Sequence, residues 1–316
     1  MDKETLSNYG WIVICILVMV VMIALATPFG QYIADAFNSA SNGIKDVGDN
    51  ALNSTGLINT KDNIIPEGGI YYVGVSTSNV GDYTGATETY TAGQEFPQTP
   101  SRGDVYVYED YEYRYGHAFL GTWFNAQSQA TIDMLGGIGW GVHVLNTNQT
   151  SYSKMLDDIN GTPVTYLAFT FAECTSMSVT PYVSQNATTM LAMMRNCDAL
   201  ENVSDLVIPN SVISTKEMFY GCSALKNSPD FSQATGLQTM NYMFGSCPNL
   251  EIAPNLKNCN NLTDIGQAFK RCSKLRTYVG SVDDDGNFSN YVIPSSVTTK
   301  GDTFLECSLI TKLPAM

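Results

Sequence analysis

Six cysteines in the C-terminal half of the chain have the clearest chemical potential, because a thiol can form a disulfide, bind a metal or pack as a small apolar group. They follow one another at steps of 23, 25, 25, 25 and 35 residues. The sequence has no Cys-x-x-Cys pair and 2 histidines, so no metal site and no cofactor are predicted. The six are Cys174, Cys197, Cys222, Cys247, Cys272 and Cys307.

With one cysteine per step, reduced thiols in a buried apolar column are favoured over a disulfide framework. In such a column alanine should replace the thiol with less loss of stability than serine. Cys259 lies outside this register and is predicted to be a loop or packing residue.

Other candidate motifs are few. His117 and His143 stand in no H-E-x-x-H or G-x-S-x-G context, and no enzyme is predicted. Arg102-Gly103-Asp104 matches an integrin-binding tripeptide, but a glycine turn before a strand is the favoured interpretation. The carboxylates at residues 283–285 would suit calcium, yet they lack the spaced ligands of a calcium loop, so a solvated turn is favoured.

A repeat of about 25 residues must position the cysteines. Each unit has Phe or Met three residues before the cysteine and Leu, Met or Ile three residues after it. Fixed apolar positions at such a period indicate stacked units, none of which buries its own apolar face alone. The aromatic residues predicted to line the column with the thiols are Phe171, Phe219, Phe244, Phe269 and Phe304.

These units resemble the BspA-like leucine-rich repeats of bacterial surface proteins, whose units have the pattern M-F-x-G-C-S-x-L. Residues 218–225 match it almost position for position, and residues 208–212 and 293–297 are similar to the family's I-P-x-S-V connectors. The resemblance covers roughly residues 166–316. It implies a leucine-rich-repeat solenoid that acts as a surface-displayed, non-enzymatic recognition module, often assigned to adhesion.

The N-terminal region has an uncharged run from residue 5 to residue 34, and residues 11–26 are all apolar. About 20 apolar residues suffice to span a bilayer. Because Met1-Asp2-Lys3-Glu4 has no basic excess, an uncleaved single-pass anchor is favoured over a cleaved signal or a buried core helix. The prediction is a cell-membrane protein with membrane contact through residues 10–30 and an extracellular C-terminal region.

Apolar residues at Ile33, Phe37, Ala40, Ile44 and Val47 extend the helical pattern beyond that run. Over about the first 45 residues the chain also resembles the small Flp-type pilins, in residues 6–10, the apolar run and residues 29–39. That resemblance implies self-association through the N-terminal helix. The alternative function is therefore a structural subunit of a surface filament decorated by the repeats.

Short alternating runs at residues 71–75, 104–108, 111–115 and 139–145 predict a small antiparallel β domain. A short helix and turn is predicted at residues 151–164, as a cap on the repeats. The fold class is thus α+β. Its predicted parts are a transmembrane helix and helical stalk (1–55), a linker (56–69), a small β-rich domain (70–150) and a leucine-rich-repeat solenoid with its N-terminal cap (151–316).

The 316-residue chain carries a net charge of −14 and has a sequence pI near 4.4, which argues against nucleic acid as a partner. The predicted function is a membrane-anchored cell-surface module that binds or adheres through its repeat face. Its predicted partner is an extracellular protein or glycan.

Overall fold

A computed structural model describes residues 63–77, 79–97, 99–116, 139–282 and 284–315. The chain from Gly56 to Met316 forms one compact unit. Its first half is a seven-stranded sheet with the order β2-β1-β3-β4-β5-β7-β6. The strands are β1 (Ile70–Val73), β2 (Glu88–Thr91), β3 (Val105–Tyr108), β4 (Tyr111–Tyr115), β5 (Trp140–Val144), β6 (Asp158–Ile159) and β7 (Thr162–Tyr166).

Alternation along the strands explains the two faces of this sheet. In β4, Tyr111 and Tyr113 point to one face, where they are fully buried among the aromatic side chains of neighbouring strands. Glu112 and Arg114 point to the other face, where they are also fully buried. The sequence analysis did not predict this buried charged pair, because alternation normally places charges in solvent.

The junction between the sheet and the repeats is a parallel pairing of β5 with β7. All other strand pairs in this sheet are antiparallel, so the predicted antiparallel domain is extended by a mixed edge. The short helix predicted at residues 151–164 is wrong, because β6 and β7 form a hairpin there. Asn160 and Gly161 make its two-residue turn, both with positive φ, as the Asn-Gly hairpin turn requires.

From residue 167 onward the repeats form stacked turns. One column of single residues pairs in parallel from each repeat to the next: Tyr166, Thr189, Ser214, Thr239, Asp264 and Thr299. Further parallel pairings join Val207 to Asp230, Asn287 to Lys312, and β8 (Ile252–Ala253) to β9 (Thr277–Tyr278).

The turns stack through alternate backbone amides. The N–H groups of Ala192 and Met194 donate to the carbonyls of Lys216 and Met218 in the next repeat, at 2.8 and 2.9 Å. The N–H of Arg195 instead donates within its own turn, to the carbonyl of Ala192 at 3.2 Å. The same alternation recurs in the other repeats, so each turn is stabilised both internally and by its neighbour.

The predicted fold class is wrong for the described part of the chain, which contains strands and turns but no α-helix. It also lacks the leucine-rich-repeat solenoid that was predicted, because isolated single-residue pairings and one two-residue pairing stand in place of a strand in each repeat. The physical reason lies in the backbone of each turn. Two residues four positions apart adopt positive φ, which interrupts any right-handed helix: Phe169 and Glu173, Ala192 and Asn196, Glu217 and Gly221, Tyr242 and Ser246, Gln267 and Arg271, and Asp302 and Glu306.

The predicted single-pass membrane localisation is corrected as well. Within the ranges that the structure describes, there is no helix with the length and apolar character needed to cross a membrane. Residues 10–30, to which the prediction assigned the membrane contact, and the stalk up to residue 55 lie outside the described residues.

Candidate functional site

The six predicted ladder cysteines lie inside the stack of turns. All six are buried and free of disulfides. From the second repeat onward, each thiol donates a hydrogen bond to a backbone carbonyl of the previous repeat. The acceptor is the Phe or Met that lies three residues before the cysteine of that previous repeat. The Sγ–O distances are 3.2 Å for Cys197 to Phe171, 3.0 Å for Cys222 to Met194, 2.9 Å for Cys247 to Phe219, 3.1 Å for Cys272 to Phe244 and 2.9 Å for Cys307 to Phe269.

The predicted aromatic residues form a second column beside the thiols. Phe219, Phe244, Phe269 and Phe304 stack with ring centroids 5.6, 5.5 and 5.4 Å apart and planes within 9° of parallel. Phe171 is separated from them by Met194 in the second repeat and packs against aromatic side chains of the first half of the chain instead. Both columns are interior, so these residues hold the turns together and cannot touch a partner.

Burial disfavours the charged form of a thiol. It raises the pKa of Cys174 to about 11 and that of Cys307 to about 12. The pKa of Cys197 is also raised, first by its side-chain hydrogen bond with Cys222 and then by burial. Since the thiolate is the nucleophile and metal ligand, the column is chemically inert near neutral pH.

We expect the native protein to resist iodoacetamide at pH 8 at all six ladder cysteines, because all six are buried. The same residues should alkylate in urea without any reductant, because none forms a disulfide. Peptide mass spectrometry before and after denaturation measures both. Modification of Cys247 in the native state would contradict the buried column, and a need for reductant in urea would contradict free thiols.

The Arg102-Gly103-Asp104 tripeptide forms a turn before β3, in agreement with the glycine turn favoured from the sequence. The Asp104 carboxylate is buried and accepts hydrogen bonds from the Tyr71 hydroxyl at 2.9 Å and from two backbone N–H groups. Gly103 has a φ of 94°, and a β-carbon there would stand 3.0 Å from the Val75 carbonyl oxygen. An integrin cannot reach a carboxylate held in this way.

The remaining candidate groups are the two histidines and the carboxylates near residue 283. His143 lies on β5, and burial lowers its pKa. His117 and Asp283 lie outside the described residues. In the described ranges, no three His, Cys, Asp or Glu side chains come together as a metal site would require.

The side chains between the two interior columns form the outward face of the stack. Two residues before each cysteine, this face carries a different residue in each repeat. In repeat order these are Ala172, Arg195, Tyr220, Gly245, Lys270 and Leu305.

Neighbouring repeats are linked across the outward face. Arg195 forms an ion pair with Glu217, and its guanidinium lies 4.7 Å from the centre of the Tyr220 ring. Tyr220 in turn meets the ring of Tyr242 edge to face, with 6.1 Å between the centroids. The outward face is therefore ordered by its own contacts before any partner binds.

A concave site opens on this face where Gly245 interrupts the row of larger side chains, and we call it the Gly245 hollow. Its volume is about 180 Å³. A β-carbon at Gly245 would stand 3.0 Å from Cδ2 of Tyr220 and 3.2 Å from Cδ1 of Tyr242, so the two rings can approach the backbone this closely only because residue 245 has no side chain. It is lined by Tyr220, Tyr242, Gly245, Ser246, Lys270 and Arg271.

A larger concavity of about 630 Å³ lies beside the first two repeats, between residues 178–185 and 202–207. These two segments are joined by the hydrogen bond from Oγ1 of Thr180 to the Asn202 carbonyl at 2.6 Å. Its walls mix apolar residues such as Val179, which is 55% exposed, with polar ones such as Asp205. It lacks the paired aromatic and basic side chains of the Gly245 hollow.

None of the hollow's residues was predicted from the sequence, because the prediction rested on positions that are constant between repeats. The hollow is instead indicated by a position whose residue varies between repeats. At the position two before the cysteine, a glycine stands between a tyrosine and a lysine, at steps of 25 residues. In a stack, a missing side chain between two large ones makes a hollow.

Comparison with known proteins gives one family. Residues 142–233 and, in an overlapping second match, residues 165–282 are similar to the family described as "Mycoplasma protein of unknown function, DUF285". The matched region begins in β5 and covers five of the six cysteine repeats, which is less than half of the 316-residue chain. No curated protein and no solved structure matches the chain.

Proposed function

We propose that this protein is a non-enzymatic binding module that recognises a protein or glycan partner through the outward face of its repeat turns. The observation that carries the proposal is the contrast between the two sides of each turn. The interior positions repeat Phe or Met and Cys, whereas the position two before the cysteine is a different residue in each of the six repeats. A constant interior holds a varied surface in fixed places, which is how repeat proteins present binding faces.

Three further points support the proposal. The outward face has a preformed concavity with aromatic and basic walls, as binding sites commonly do. The resemblance to BspA-like surface proteins implies recognition rather than catalysis. The cysteine thiols of the described residues are buried, so an enzyme could not use them without exposing them.

The full chain probed on protein and glycan arrays tests this function. The test variant carries Arg195→Gln, Lys270→Gln and Arg271→Gln, three substitutions on the outward face. We expect it to lose at least about tenfold in affinity for any partner that the parent binds, since charge-assisted hydrogen bonds are among the strong contacts of an interface.

The control variant removes the same charge elsewhere, through Lys226→Gln, Lys257→Gln and Lys312→Gln at exposed sites. Its affinity should stay within about twofold of the parent. Equal losses in both variants would mean that binding follows net charge. A parent chain that binds nothing on either array would remove the support for a binding module.

A further inference from the structure

We infer that the Gly245 hollow binds one carboxylated sugar residue, such as a hexuronic acid, of a glycan. This inference rests on the proposed function and assigns a ligand class to one place on the outward face. The size of the hollow is the first argument. Pockets for drug-sized ligands measure about 300–1,000 Å³, so about 180 Å³ suits a single sugar ring or a single side chain.

The walls favour a ring that has both an apolar face and hydroxyl groups. The rings of Tyr220 and Tyr242 meet edge to face beside Gly245, and both tyrosines are half-buried, so their positions are fixed. The other contact of Tyr220 is the Arg195 guanidinium, which braces the ring from the neighbouring repeat. A sugar has C–H faces that pack on aromatic rings, and its hydroxyls suit the hydroxyls of Ser246 and of the two tyrosines.

The charge of the hollow selects an acid. The Lys270 ammonium donates to the Gln267 amide oxygen at 2.8 Å and has no carboxylate partner among the described residues. Arg271, at the rim, pairs with Glu306 at 3.2 Å and keeps other guanidinium donors. Glu217, another nearby carboxylate, is paired with Arg195. In a chain of net charge −14, an ammonium without a carboxylate partner beside two aromatic rings is a specific place for a ligand carboxylate.

An acidic side chain of a protein partner fits these walls less well. Aspartate or glutamate would bring the carboxylate but no ring and no hydroxyls. The observations therefore favour the sugar, and the peptide becomes one arm of the test.

The experiment titrates the full-length protein with three probes, followed by saturation-transfer NMR and tyrosine ring shifts. The probes are methyl β-D-glucuronide, methyl β-D-glucoside and N-acetyl-aspartate methylamide. We expect the glucuronide to bind with a Kd on the order of 1 mM. The glucoside, which lacks the charge, and the aspartate amide, which lacks the ring, should each bind at least about tenfold more weakly.

Three variants complete the test. Gly245→Ala has ordinary backbone geometry, but its β-carbon would press on the rings of Tyr220 and Tyr242 and displace the aromatic walls, and we expect it to abolish glucuronide binding. Lys270→Gln should weaken binding about tenfold, whereas the control Lys257→Gln, an exposed lysine that does not line the hollow, should have no effect. Thermal melts that match the parent show that each variant is folded.

Several results would overturn the inference: equal binding of glucuronide and glucoside, tighter binding of the aspartate amide, no glucuronide binding by the parent, or parent-like binding by Gly245→Ala. These failures differ from a failure of the proposed function. The hollow could bind no sugar while the parent still binds an array partner that the triple outward-face variant loses. That result would support the proposed binding face and contradict only the ligand assigned to the hollow.

Discussion

Replacing Cys222 with aspartate is expected to abolish folding or to reduce the free energy of unfolding by more than about 4 kcal/mol, because an unpaired charge cannot be accommodated in the thiol column. Cys222 is fully buried, and its Sγ donates to the Met194 carbonyl at 3.0 Å. A carboxylate offers no proton to that carbonyl and would meet it as a second acceptor. Urea denaturation followed by circular dichroism measures the loss.

At the same position, substitution by serine and by alanine should reduce the free energy of unfolding by different amounts. In the described residues, the Met194 carbonyl accepts from the Cys222 thiol and from no other group. Alanine leaves this buried acceptor unsatisfied and opens a small cavity, at a cost of about 2–4 kcal/mol. Serine keeps a donor on a shorter side chain and should cost about 1–2 kcal/mol. The order expected from the sequence, alanine above serine, is therefore reversed by the hydrogen bond.

Cys259 supplies the matched control. It is fully buried, and its sulfur makes no hydrogen bond among the described residues. Burial raises the pKa of its thiol to about 12. Without an acceptor to satisfy, alanine should be tolerated better than serine at this site. If the two positions give the same order, the thiol–carbonyl bonds contribute nothing, and if reductant lowers the melting temperature of the parent, the cysteines are not free.

The period of the repeats and the interior positions can be predicted from the sequence, because they are carried by residue identity at fixed steps. The backbone of the turns cannot. Phe169, Glu217, Tyr242 and Gln267 have φ values between 55° and 60°, yet their side chains give no sign of it, since glycine and asparagine are the usual residues there. The hydrogen bonds between neighbouring repeats impose this geometry, and no single repeat contains them.

The strands of the sheet could also be predicted only in part from the sequence. β3, β4 and β5 lie within predicted runs and β1 overlaps one, because alternation is a local signal. β6 and β7 were missed although Asn160-Gly161 is a strong hairpin signal, because residues 151–164 were interpreted as a helical cap. The parallel pairing of β5 with β7 is a long-range contact that local patterns do not predict. The hollow was missed because it depends on side chains from three repeats.

The buried pair on the second face of the sheet gives the other large expected effect. Glu112 and Arg114 are in contact at 2.6 Å, with exposed fractions of 0% and 1%. Arg114 also donates to the carbonyls of Thr77, Asn79 and Asp82, and Glu112 accepts from the Gly81 N–H at 2.7 Å. The two side chains therefore tie residue 77 and residues 79–82 to β4.

Replacing Arg114 with methionine should reduce the free energy of unfolding by about 3–5 kcal/mol, because it leaves the Glu112 carboxylate buried without its partner. Lysine should recover little of this, since its single ammonium cannot serve one carboxylate and three carbonyls that diverge around a guanidinium. Urea melts measure the stability. Limited proteolysis should show a new cleavage within residues 77–82 in Arg114→Met.

The exposed pair Arg271–Glu306 is the matched control, with exposed fractions of 58% and 54%. Arg271→Met should cost less than about 1 kcal/mol, because solvent screens the attraction and rehydrates the partner. The double variant Glu112→Gln, Arg114→Met should then be more stable than Arg114→Met alone, since it removes the stranded charge together with its partner. If Arg114→Met were as mild as Arg271→Met, or if the double variant were worse than the single one, the buried pair would not be what holds this segment on the sheet.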